Sequence, residues 1–183
     1  MSEGASLLVL GLGNVLLEDD GVGSAAVALL LERFHAPAGV RVLDGGTLGL
    51  SLLPYFDEAD SVLLVDAVRA DGAPGNLVRL DGDDVAPAVA TRLSPHQVGV
   101  ADLLDGARWL DRYPRRVVLM GVIPQSIDLG LGLTPAVRDS LSELVDLVVA
   151  EALEMGFAFQ PKNAAEPACA WHRVDVARLS GTG

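Results

Sequence analysis

Short apolar runs alternate along this chain with stretches whose apolar residues recur at helical spacing. The run Ser6-Leu7-Leu8-Val9-Leu10-Gly11 is continuously apolar, as a strand buried on both faces should be. A glycine- and acid-rich loop to Gly21 follows it, and Val22, Ala26, Leu29, Leu30 and Phe34 then mark a helix. Val40 to Leu43 reads as a second strand ending at Asp44-Gly45-Gly46, and Ser61 to Val65 as a third ending at Asp66. Leu48 to Phe56 has the spacing of a short amphipathic helix, interrupted by Pro54. Asn76 to Leu80 alternates like an exposed strand after the Pro74-Gly75 turn. Ser94-Pro95 signals a helix start, with a helix running to about Tyr113. Arg116 to Ile123 is another apolar strand, and Thr134-Pro135 opens a last helix striped by Val137, Leu141, Leu144, Val145 and Val148.

Strands alternating with helices predict an α/β fold, a three-layer sandwich with a twisted, mostly parallel sheet flanked by helices on both faces. The pattern dissolves after Gly156, which predicts one domain over residues 1–159 and a mobile tail over 160–183. The length of 183 residues agrees with a single domain. Half the residues are hydrophobic but only 4% are aromatic, so aliphatic side chains must fill the core.

Charge narrows the partners. A net charge of −12 repels phosphate backbones and anionic membrane surfaces, which argues against nucleic acid and lipid as ligands. The single cysteine, Cys169, allows no disulfide within the chain and suits a reducing compartment. The first residues carry no positive cluster, Leu7 to Leu10 is too short for a signal-peptide core, and no apolar stretch reaches membrane-spanning length. A cytoplasmic location is the expectation.

In open α/β sheets, ligands bind beyond the carboxyl ends of the strands. Those ends carry Glu18, Asp19 and Asp20 after the first strand, Asp44 after the second and Asp66 after the third, while His96 enters the next helix. Each has a plain structural reading. Asp44 before two glycines is turn chemistry, and Asp20 before Gly21-Val22-Gly23 is a helix cap. Asp66 ends a buried run, where a carboxylate needs partners. His96 lies in a first helical turn, where the helix dipole disfavours imidazolium and keeps the ring able to ligate metal. His35 and His172 fall in a turn and in the tail. Two carboxylates and an imidazole form an open oxygen–nitrogen shell of the kind that suits nickel or zinc.

Rival chemistries are less well supported. The chain has no Gly-x-Ser-x-Gly elbow and no His-Glu-x-x-His helix, Cys169 lies off the scaffold, and Ser94 reads as a cap. A dinucleotide site is suggested by Gly11-Leu12-Gly13 and by Asp44. It is opposed by Leu16 at the third glycine position and by acids where a pyrophosphate would lie.

The stretch from Leu8 to Gly23, with Gly11-Leu12-Gly13-Asn14 and Glu18-Asp19-Asp20-Gly21-Val22-Gly23, resembles the opening motif of the hydrogenase maturation proteases. Asp44-Gly45-Gly46-Thr47, Leu63-Leu64-Val65-Asp66-Ala67, Ser94-Pro95-His96-Gln97, Gly121-Val122-Ile123-Pro124 and Gly132-Leu133-Thr134-Pro135 are similar to its later motifs, in order, between about residues 7 and 155. The resemblance implies an endopeptidase that removes the C-terminal extension of a NiFe hydrogenase large-subunit precursor after nickel insertion. The resemblance also implies that cleavage follows the basic residue just after the final cysteine metal ligands and that the substrate's own nickel is the recognition mark. By position it implies Asp20, Asp66 and His96 as the metal-contacting residues, with Asp44, Asp20 and Asp66 as the candidate catalytic carboxylates. Nickel would come with the substrate, and zinc or cadmium could take the site in vitro. The alternatives are a nickel-binding or delivery protein without hydrolysis, and a dinucleotide-binding module.

Overall fold

A computed structural model describes residues 6–90 and 96–163, the side chains at positions 90 and 96–98 excepted. Four apolar segments become parallel strands: β1 (Leu7–Leu12), β3 (Val40–Gly46), β4 (Ser61–Ala67) and β6 (Arg116–Val122). The exposed-type strand β5 (Leu77–Asp81) runs antiparallel to β6 at the sheet edge, and the order is β3-β1-β4-β6-β5. A two-residue strand β2 (Phe34–His35) lies outside this sheet. The helices are α1 (Val22–Arg33), α2 (Leu53–Asp57), α3 (Val85–Ala90), α4 (His96–Trp109) and α5 (Pro135–Glu154).

Strand alternation divides the core into two layers. Leu7, Val9, Leu63, Val65, Val118 and Met120 face α1 and α5 on one side. Leu8, Leu10, Val62, Leu64 and Leu119 face α2, α3 and α4 on the other. Because registered residues in parallel strands share a face, Val9↔Leu63 and Leu63↔Val118 stack as apolar rows across β1, β4 and β6. Truncating such a residue to alanine costs about 2–5 kcal/mol. The buried Glu151 of α5 fastens that helix to the sheet by accepting from Arg79 of β5 at 2.7 and 3.0 Å and from Arg116 of β6 at 2.8 Å. The Glu151 carboxylate raises the Arg79 guanidinium above its ordinary range, burial acting in the opposite sense.

The structure departs from the sequence expectation at three places. Leu48 to Phe56 is a 3-10 turn, Gly49–Leu52, followed by α2, with Pro54 in the first turn of α2, where its missing N–H is harmless. The short helix α3 has no amphipathic repeat long enough to stand out in the sequence. Ordered packing also runs past residue 159. Strand β7 (Gln160–Pro161) pairs antiparallel with β2, Phe157 and Phe159 are buried, and Lys162 donates through its backbone to the Arg33 carbonyl and through Nζ to the Leu31 carbonyl. Ser94 and Pro95, Cys169 and the remainder of the expected tail from 164 lie outside the described residues. No described helix is long and apolar enough to cross a membrane.

Candidate active site at the carboxyl ends of the strands

The connection from β1 to α1 is compressed by glycine. Gly13 has φ +125°, and a Cβ there would lie 1.7 Å from the Asp20 carbonyl oxygen. A Cβ on Gly23 would lie 2.2 Å from both the Leu12 and Val65 carbonyl oxygens, so α1 begins directly on the ends of β1 and β4. Gly23, beyond the expected fingerprint positions, therefore provides the close helix–strand approach that Leu16 cannot. A 3-10 turn, Glu18–Gly21, sits in this connection and packs against β4. It holds Asp20 fully buried, with Oδ2 accepting from the Asn14 backbone N–H at 2.9 Å.

Asp66 is the penultimate residue of β4 and only 1% exposed, with Oδ1 accepting from the Ala67 N–H at 2.8 Å. It shares the sheet face of Val62 and Leu64, the face that α4 covers. The backbone of His96 is the first residue of α4. Gly99 in the next turn lies against Gly49, just past the end of β3, so α4 enters at the same carboxyl edge. The His96 side chain, the third member of the expected shell, lies outside the described side chains. Among the described residues, no three His, Cys, Asp or Glu side chains form a metal-holding group.

Asp44 is placed differently from the other two carboxylates. It is aligned with Gly11 of β1, which is aligned with Val65 of β4, so alternation puts Asp44 on the face opposite Asp66. Its Oδ1 accepts from Ser24 Oγ of α1 at 2.7 Å and from the Gly46 N–H at 3.1 Å, and the residue is exposed. Gly46 has φ +44°. This is the turn role that the sequence offered as one of two readings for Asp44, and it ties the end of β3 to α1.

Sequence reasoning missed Asp19 as a separate actor. Its carboxylate is fully buried and accepts four hydrogen bonds. Oδ2 takes the N–H groups of Gln125 and Ser126 at 2.8 and 3.1 Å and the Thr134 hydroxyl at 2.8 Å, and Oδ1 takes the Thr134 N–H at 2.7 Å. Asp19 thus pins the loop after β6 to the turn that carries Asp20. The only sequence signal was its place inside an acidic triplet, which does not distinguish the pinning acid from its neighbour.

Asp20 and Asp66 are buried carboxylates on elements at the carboxyl edge of the sheet, where α4 also begins, and carboxylate oxygens suit a cation. Known proteins share this fold. The hydrogenase maturation protease family model matches residues 25–151. The hydrogenase 2 maturation protease of Escherichia coli K12 is 37% identical over 159 residues, covering 86% of this chain and 97% of that protein. The HupD hydrogenase expression/formation protein of Rhodobacter capsulatus is 41% identical over 149 residues, covering 80% and 69%. Among solved structures, the E. coli hydrogenase maturating endopeptidase HybD superposes with a TM-score of 0.82 at 37% identity, covering 86% of this chain and 98% of that one. The NiFe hydrogenase maturation protease HybD of Thermococcus kodakarensis superposes with a TM-score of 0.66 at 30% identity, covering 81% and 98%. The chain belongs to the hydrogenase maturation protease family, and it is an endopeptidase.

Proposed function

We propose that this endopeptidase removes the C-terminal extension of a NiFe hydrogenase large-subunit precursor after nickel insertion, and that nickel carried by the substrate docks against Asp20, Asp66 and His96. The observation that carries this reading is the burial of Asp20 and Asp66, 0% and 1% exposed, on elements that pack together where α4 begins with His96. Two buried carboxylates repel one another unless a cation or proton joins them. A substrate that brings its own cation is therefore bound more tightly than one without it. The cytoplasm, where precursor is assembled, is the proposed compartment.

The hydrolytic step needs a base, an electrophile and a proton for the leaving amine. A cleft carboxylate takes a proton from water as the water oxygen bonds to the scissile carbonyl carbon. The carbon–nitrogen bond then breaks as the same proton passes to the departing amine. Asp20 and Asp66 suit the base role better than Asp44, which the register through Gly11 sets on the sheet face opposite Asp66. The test is peptide release from nickel-loaded precursor by Asp20→Asn, Asp66→Asn and His96→Ala variants. Each is expected to lose at least about a hundredfold in rate. Processing at the wild-type rate by any of the three removes that residue from the site.

A further inference from the structure

Two loops leave the carboxyl edge on either side of β4, one after β1 and one after β6, and they meet. Leu17 forms a parallel bridge with Gly130, the Gly130 N–H donates to the Leu16 carbonyl at 2.9 Å, and the Glu18 N–H donates to the Gly130 carbonyl at 3.1 Å. Register at that bridge sets Leu16 beside Leu129 and Glu18 beside Leu131. These leucines face solvent, 53% exposed at Leu16, 85% at Leu129 and 82% at Leu131. Isolated exposed leucines are ordinary, but three at one bridge form a patch, and such patches mark interaction surfaces. The backbone beneath is held fast, because Asp19 fixes Gln125, Ser126 and Thr134 and its own N–H donates to the Ser126 carbonyl at 3.2 Å. A braced lip loses little conformational freedom on binding.

We propose that Leu16, Leu129 and Leu131 form a docking lip for an apolar segment of the precursor polypeptide next to its scissile bond. This rests on the functional reading above, because the lip adjoins the turn that carries Asp20 through the Glu18–Gly130 hydrogen bond. Charge selects the occupant. Glu18 lies against Gly130, with its Cγ 2.8 Å from where a Cβ would stand, and Asp128 precedes Leu129, so the lip is apolar with an acidic margin. That margin complements a partner segment carrying apolar side chains and positive charge. A second copy of this chain would set a net charge of −12 against another −12.

The experiment compares wild type with the double substitution Leu129→Ser and Leu131→Ser, at exposed positions whose change leaves the core intact. Calorimetric binding of uncleaved, nickel-free precursor and steady-state cleavage of nickel-loaded precursor are both measured. Affinity for the precursor should fall at least about tenfold in the double variant, and the loss in cleavage should fall on KM rather than on kcat. Wild-type affinity and KM in the double variant overturn the lip. So does self-association of wild type that the substitutions abolish, since the occupant is then a second copy. If neither enzyme cleaves the nickel-loaded precursor but the binding difference persists, the lip stands and the protease reading for that precursor fails.

Discussion

Replacing Gly23 by alanine opposes two effects of different sign. Alanine favours a helix over glycine by about 1 kcal/mol, and Gly23 lies in the first turn of α1. Against that, the new Cβ would stand 2.2 Å from the Leu12 and Val65 carbonyl oxygens and 2.4 Å from the Leu12 nitrogen, all backbone atoms of central strands. Neither strand can yield, so α1 must retreat by roughly 1 Å, which forfeits a quarter to a half of the dispersion contact at its packed face. That face is Val22, Ala26, Val27 and Leu30, all buried. With full burial of Val22, Val27 and Leu30 contributing about 1.5–3 kcal/mol each, a quarter to a half of that is about 1–4.5 kcal/mol, with a centre near ~3 kcal/mol that outweighs the propensity gain. Gly106 in α4 is the control, because its nearest neighbour is the Leu50 Cδ2 at 3.3 Å, the tip of an exposed and flexible side chain. Gly106→Ala should be neutral or stabilising by up to about 1 kcal/mol. In urea unfolding, the Gly23→Ala midpoint should drop by about 1 M and the Gly106→Ala midpoint should hold or rise. Equal midpoints for the two variants would refute the claim that α1 is seated on the strand ends.

Other consequences are measurable on the same protein. Asp19→Ala removes the acceptor of three part-buried backbone N–H groups and a hydroxyl, and should cost about 3–5 kcal/mol in urea unfolding while exposing residues 125–134 to limited proteolysis; an unchanged proteolytic pattern contradicts the pinning role. Asp44→Asn keeps the Oδ1 acceptor for Ser24 and Gly46, so cleavage of nickel-loaded precursor should stay within about tenfold of wild type. A folded Asp44→Asn variant without activity restores Asp44 as the base. Burial raises the Tyr113 phenol above the usual tyrosine value of about 10, with Arg108 pulling the other way. The folded state then holds this proton more tightly than the unfolded chain, so stability falls as pH rises above about 10. Tyr113→Phe should blunt that fall when unfolding is compared at pH values on either side of about 10, and an identical fall in both proteins contradicts the assignment.

The parallel strands and long helices were legible because their signals are local. β4 and β6 are continuous apolar runs, and α5 carries a repeating stripe behind a proline. What stayed hidden depends on contacts distant in sequence. No window containing Asp19 reports that its partners lie at Gln125, Ser126 and Thr134, so Asp19 and Asp20 look equivalent until the chain is folded. Asp44 and Asp66 both end strands, and only the register through Gly11 reveals that they face opposite sides of the sheet. The extension to Lys162 escaped for a similar reason, since a two-residue strand and two buried phenylalanines make no periodic pattern. The leucine lip was equally invisible, because Leu129 and Leu131 alternate with Gly130 in a segment without strand or helix.

The proposed recognition of substrate-borne nickel by Asp20, Asp66 and His96 is tested most directly by one mass measurement. Wild-type enzyme is incubated with the same large-subunit precursor in nickel-loaded and nickel-free form, and the released C-terminal peptide is weighed. The account predicts a peptide of defined mass from the loaded precursor and none from the nickel-free one. Equal release from both contradicts it.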